Sequence, residues 1–176
     1  IWTTWPNRYD AIHGEQHMGD WSAFARWHGA LTGLVTTKES SPVYNTTANR
    51  DGRRRDSSTE SVQGLVLDCD GFGDWTTLLD TLRRTRFAFM AHRTCSHTPF
   101  VPRWRIAIPF SQPVVTGSPG AAHAWKLNVA LALTAFGALG RLDDPGFDPA
   151  TDVPSQPWLP AIRLSSGRPV PALIFE

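Results

Sequence analysis

The chain has 176 residues, 41% of them apolar and 11% aromatic, so it is the size of one domain and can bury a core. Its formal net charge of +1 conceals an asymmetry: 15 of 17 basic residues are Arg and 12 of 16 acidic residues are Asp. Arg is the better fork for phosphate oxygens, and Asp is a short carboxylate suited to Mg²⁺ or Mn²⁺. A GC-rich genome gives the same Arg bias, so composition by itself says little. Two cysteines far apart, Cys69 and Cys95, exclude a disulfide scaffold and a cysteine zinc site. No stretch resembles a signal peptide, and the longest apolar run, around 129–139, is too short to span a bilayer. The chain therefore reads as intracellular and cytoplasmic, and the sequon Asn45-Thr46-Thr47 carries no meaning. Its ends, Ile1 and Glu176, read as those of a fragment of a longer protein.

In chain order, Trp21, Phe24, Trp27, His28 and Leu31 recur at helical spacing and predict a helix over 19–30. Residues 45–61 are polar, with Arg50 and Arg53–Arg55 among them, and predict a mobile loop. Residues 63–70 form an apolar strand that ends in Asp68-Cys69-Asp70, followed by a turn over 71–73. Asp74 is an N-cap for a helix over 75–86, whose one face carries Trp75, Leu78, Leu79 and Leu82. Residues 87–94 make a second strand and 103–110 a third. Alternation puts Arg103, Arg105 and Ala107 on one face and Trp104, Ile106 and Ile108 on the other. Pro109 and Pro113 are expected to end that strand. A long apolar helix over 119–138, an acidic loop over 141–157, and short strands at 158–163 and 171–175 complete the chain. This order suits an α+β sheet with helices packed on one side.

Three features carry chemistry. Alternation puts Asp68 and Asp70 on one face, Cα atoms roughly 6.5–7 Å apart, with Cys69 pointing away. Like charges at the end of a buried strand cost several kcal/mol (roughly, per ion), a conflict that a cation resolves and that a solvated strand end avoids. Next, Thr94-Cys95-Ser96-His97-Thr98-Pro99 precedes Arg103-Trp104-Arg105, so a Ser, a His and two same-face Arg sit at adjacent strand edges. Imidazole and guanidinium are both phosphate donors. Last, the acidic loop from Asp148 to Trp158-Leu159-Pro160 can return a third carboxylate to the sheet.

In their order and spacing, these motifs over residues 63–162 resemble the archaeo-eukaryotic primase superfamily, in particular the primase–polymerase domains of phage and plasmid replication proteins. The resemblance implies an RRM-like, mostly antiparallel sheet acting as a catalytic palm over 63–176, with flanking helices and a small N-terminal α/β lobe over 1–62. It implies that Asp68, Asp70 and Asp148 hold two Mg²⁺ or Mn²⁺ ions, with Asp143, Asp144 and Asp152 as competitors for the third place. Ser96 and His97 fall on the nucleotide-facing motif, although here the Ser immediately precedes the His instead of lying two before it. One of Arg103 and Arg105 matches a triphosphate contact; Lys38 lies in the weakly matching part. The implied activity is template-directed nucleotidyl transfer, as DNA primase, DNA polymerase or both. The implied partners are DNA template and primer, nucleoside triphosphates and a helicase domain beyond residue 176, with no membrane, in a bacterial cell hosting the phage or plasmid.

Other classes fit less well. Gly71-Phe72-Gly73-Asp74 lacks the lysine of a P-loop. His92 and His97 are wrongly spaced for a rolling-circle nuclease, whose tyrosine would have to be Tyr9 or Tyr44. His13 and His17 stand four apart, but Gly14 between them weakens a helix, and no His-Glu-x-x-His motif is present. The remaining alternatives are a catalytically inactive, single-stranded nucleic-acid-binding domain of the same fold and a metal-dependent phosphodiesterase.

Overall fold

The computed structural model describes residues 1–32, 34–70, 75–116, 125, 153, 156–165 and 173–175. The elements of the first half are β1 (Trp2–Trp5), β2 (Glu15–His17), α1 (Trp21–Leu31), β3 (Val35–Thr36), β4 (Val43–Asn45) and β5 (Thr47–Asn49). The second half holds β6 (Thr59–Asp70), α2 (Trp75–Thr85), β7 (Met90–Arg93), β8 (Arg103–Val115), β9 (Arg163–Leu164) and β10 (Leu173–Phe175). Among the described residues these make an antiparallel sheet β2-β1-β4, an antiparallel sheet β10-β7-β8-β6-β5, and a parallel pair β3-β9. The class is mixed α and β with antiparallel sheets.

The long strands β6 and β8 form the spine. Both β6 and β7 run antiparallel to β8, which lies between them, so β6-α2-β7 is a split βαβ unit. Alternation sorts the side chains. Leu65, Leu67 and Cys69 join Trp104, Ile106, Ile108, Leu79 and Leu82 in one buried cluster on the α2 side. Val66, Met90 and Ala107 join Trp2, Phe24, Tyr44 and Trp158 in the other, on the α1 side. The expectation of helices on one side of the sheet is therefore corrected. The strands are apolar on both faces, so each face needs a cover. No helix among the described residues is long and apolar enough to cross a membrane.

Helix α1 starts where Asp20, in extended conformation, accepts from the Ala23 N–H at 2.7 Å, and buries Phe24 and His28. Helix α2 ends at Arg86, whose φ of 57° is left-handed. The second predicted strand starts at Met90 and not at residue 87.

Two further expectations are corrected. Residues 45–61 form strand β5, a 3-10 turn (Asp56–Ser58) and the start of β6, and β4 reaches Asn45. The Asn and Thr side chains of this segment are buried because they bond to one another and to the backbone. Thr46 Oγ1 donates to Gly64 O at 2.6 Å, Thr3 Oγ1 to Thr47 O at 2.8 Å, and Asn49 Nδ2 to Thr3 Oγ1 at 3.1 Å. Nor do Pro109 and Pro113 end β8. Val62 faces Val114 and Gly64 faces Pro109, so Gln63 alone lies opposite Phe110–Pro113. The bulge removes Phe110–Pro113 from the ladder, where the missing N–H of Pro113 has no cost, while Pro109 stays opposite Gly64. The helix over 119–138 lies outside the described residues apart from Trp125, which is helical and buried. Asp74 and the turn over 71–73 lie outside them too.

Candidate active site

The acid pair sits where β6 ends against the start of β8. The register sets Asp68 opposite Arg105 and Asp70 opposite Arg103, all on the α1 side. Arg105 Nη2 donates to Asp68 Oδ2 at 2.6 Å, and Arg103 Nη1 donates to Asp70 Oδ2 at 2.8 Å. The two pairs differ in setting. The side chains of Asp68 and Arg105 are 14% and 9% exposed, those of Asp70 and Arg103 36% and 38%. The outer pair is screened by water, whereas the inner pair holds two desolvated charges that each needs the other. Arg105 is further fixed by donating from Nη1 to Leu159 O at 2.8 Å and by lying 4.9 Å from the Trp158 ring centroid. Burial acts against its charge, and Asp68 with Tyr44 more than compensates, so its pKa stands above the ordinary arginine value.

The turn between β7 and β8 carries the second motif. The His97 N–H donates to Thr94 O at 3.0 Å, and the Arg103 N–H donates to His97 Nδ1 at 3.1 Å. Nδ1 also lies 3.3 Å from Arg103 O, which only accepts, so the two backbone contacts suit opposite tautomers of the neutral ring. Burial lowers the His97 pKa; the Arg103 carbonyl acts the other way and Arg93 adds to the lowering. The ring stands edge-on to Trp104, centroids 5.2 Å apart. Ser96 beside it accepts from Lys38 Nζ at 2.7 Å. Thus Lys38, in the turn after β3, is brought to Ser96 across 58 residues.

Beneath Arg105 lies a group of residues that periodicity does not single out. His92 on β7 is the cross-strand partner of Arg105. His28 from α1 has its ring centroid 5.5 Å from that of His92 and 4.6 Å from that of Tyr44. All three are fully buried. Burial, helped by Arg105, lowers the His92 pKa to about 3, and burial lowers that of His28 as well. Burial also raises the Tyr44 hydroxyl well above its usual range. The only sequence signals were His28 one turn after Phe24 and a histidine inside an apolar strand. Neither says that the two meet.

Whether the acids suit a cation can be read from their oxygens. Asp68 Oδ1 is buried and has no hydrogen-bond partner, while Oδ2 is held, and such an oxygen fits a divalent ion. Two carboxylates against two guanidiniums leave no net negative charge, however. Among the described residues no three His, Cys, Asp or Glu groups converge as metal ligands. A further acid is required, and Asp148 lies outside the described residues, as do Asp143, Asp144 and Asp152. A cleft of about 220 Å³ opens towards the other end of β6, beside Trp2, Trp21, Phe24, Gln63 and Phe110, away from the acids.

The molecule is thus an antiparallel α-and-β fold with an Arg-paired acid row at a strand end. No family model matches the chain, and no curated protein matches it. Among solved structures it is similar to the AEP domain of the primase-polymerase (PrimPol) of cyanophage S-2L, with a TM-score of 0.50 and 18% identity over 98% of this chain and 78% of that one. At that identity the likeness speaks for the fold alone.

Proposed function

We propose that the chain is a nucleotidyltransferase domain of primase–polymerase type, an RRM-like palm that joins nucleoside triphosphates to a 3′-hydroxyl on a DNA template. The observation that carries this reading is the placement of Asp68 and Asp70 on one face at a strand end, with His97 and Ser96 on the turn into the paired strand and Lys38 donating to Ser96. A similar fold in a phage PrimPol domain supports it.

In this reading Asp68, Asp70 and Asp148 hold two Mg²⁺ or Mn²⁺ ions. When bound, such ions make a 3′-hydroxyl more acidic and clamp a leaving pyrophosphate. His97, Lys38 and Ser96 orient the triphosphate and neutralise its charge. The two arginines part company. Arg105 is buried and already engaged with Asp68, Leu159 and Trp158, so it holds the acid in place. Arg103, half-exposed, is the one that reaches substrate by exchanging Asp70 for a phosphate oxygen. Partners in this reading are template and primer DNA, with a helicase domain in a longer protein, in the cytoplasm of a bacterial host.

One observation favours a second reading, a non-catalytic single-stranded DNA-binding domain: each described carboxylate of the row is already neutralised by an arginine. Primer extension separates them. With a labelled primer, template, Mn²⁺ and nucleotides, the chain is expected to lengthen the primer, and Asp68→Ala with Asp70→Ala to abolish this. Incorporation that survives the double change refutes the transferase reading, and shortening of the primer replaces it with a phosphodiesterase.

A further inference from the structure

The group beneath Arg105 poses a problem of satisfaction. Six polar atoms there are buried without a hydrogen-bond partner: Asp68 Oδ1, Arg105 Nε, Tyr44 Oη, His92 Nε2 and both ring nitrogens of His28. Burying a polar atom without a partner is costly, and proteins rarely leave one so, let alone six together.

Their donor and acceptor roles follow from chemistry. His92 Nδ1 lies 2.9 Å from Arg93 O. A carbonyl only accepts, so Nδ1 carries the proton and Nε2 is an acceptor. Arg105 Nε and Tyr44 Oη bring hydrogens, and Asp68 Oδ1 accepts. Neutral His28 offers one nitrogen of each kind. The group therefore holds three donors and three acceptors. Its members lie in one neighbourhood. Asp68, Arg105 and His92 occupy one row across three strands. Tyr44 and His28 cover that row, their rings 4.6 Å apart, and Tyr44 pairs through its backbone with Trp158, whose ring lies under Arg105.

A balanced set of donors and acceptors that do not reach one another is what bridging water requires. A metal ion does not fit, because His28, His92 and Asp68 do not converge as ligands. We propose that this compartment binds ordered water that links Asp68 and Arg105 to Tyr44, His92 and His28, and that Tyr44, His92 and His28 are thereby positioning residues for Asp68. The positioning role rests on the transferase reading; the water does not. Asp68 is held on Oδ2 by Arg105 and on one lone pair of Oδ1 through water, so its plane is set from both sides and the second lone pair of Oδ1 is left for an ion.

A crystal structure of the chain at atomic resolution tests the first half. Expected are waters at hydrogen-bond distance, about 2.7–3.2 Å, from Asp68 Oδ1, Tyr44 Oη and His92 Nε2. A dry compartment, or direct bonds among these groups, overturns the proposal. Tyr44→Phe tests the second half, since it removes one oxygen and keeps the rings packed. Incorporation is expected to fall about tenfold in kcat with nucleotide KM unchanged, the scale of a lost positioning contact. A folded Tyr44→Phe protein with wild-type kcat overturns the positioning role. If Tyr44→Phe does not fold, His92→Gln, which keeps an acceptor nearby, is expected to retain more kcat than His92→Leu; equal loss overturns it. Failure of the transferase reading is seen separately, as incorporation by the protein lacking Asp68 and Asp70.

Discussion

Arg105→Met is the most direct probe of the acid row. Methionine keeps the long apolar stem over Trp158 and deletes the guanidinium, which donates to Asp68 Oδ2 at 2.6 Å and to Leu159 O at 2.8 Å. The pair is largely buried, and Asp68 Oδ1 has no protein partner to take up the charge. Removing one member of such a pair leaves a desolvated anion, at a cost of about 3–5 kcal/mol near pH 7. Tryptophan fluorescence in a urea titration reads this as a lower midpoint at unchanged slope. A control follows from the same physics. Adding Asp68→Asn removes the stranded charge and is expected to recover at least about half of the loss, because the larger part of it is desolvation and not lost attraction. A loss below about 1 kcal/mol, or a double variant no better than Arg105→Met, refutes the claim that the pair is a mutually dependent buried couple.

Acid should destabilise the wild-type fold through its histidines. An unfolded histidine takes up its proton near pH 6.5, whereas burial holds His92 neutral down to about 3 and His28 likewise below its ordinary value. The unfolded state then binds more protons in this window, so stability is greatest above pH 6.5 and is lost as pH falls towards 3. By pH 5 the loss from His92 is about 2 kcal/mol, and urea titrations of wild type and His92→Phe at pH 7 and pH 5 should show the variant losing less; equal losses contradict it. At Gly64, a Cβ would stand 2.6 Å from Ile108 O, on the rigid partner strand. Gly64→Ala should force β6 and β8 apart and cost about 1–3 kcal/mol in the same assay, and a neutral result shows that the bulge yields freely.

Much of the spine was legible because strand alternation is local. That Asp68 and Asp70 share a face, that Cys69 turns to the opposite core, and that Arg103 and Arg105 lie opposite Trp104 and Ile106 follow from a period of two and hold in the structure. The extents of α1 and α2 were readable to within two residues for the same reason, from helical spacing. The 45–61 segment was not legible. Its asparagines and threonines look solvated in a linear reading, and they are buried only because Thr3, Gly64 and one another supply bonds. Nor could the run of β8 past Pro113 be seen, since the bulge that accommodates it is a property of the pairing around Gln63.

By itself, then, the sequence determined which residues share a strand face and which are acid, base or aromatic, because those depend on neighbours two to four places away. Only the tertiary structure decided that each acid faces an arginine, that Lys38 meets Ser96, and that His28, His92 and Tyr44 close over Arg105. Those meetings depend on strand register and on which helix covers which face, and both are set by the burial of the whole chain at once.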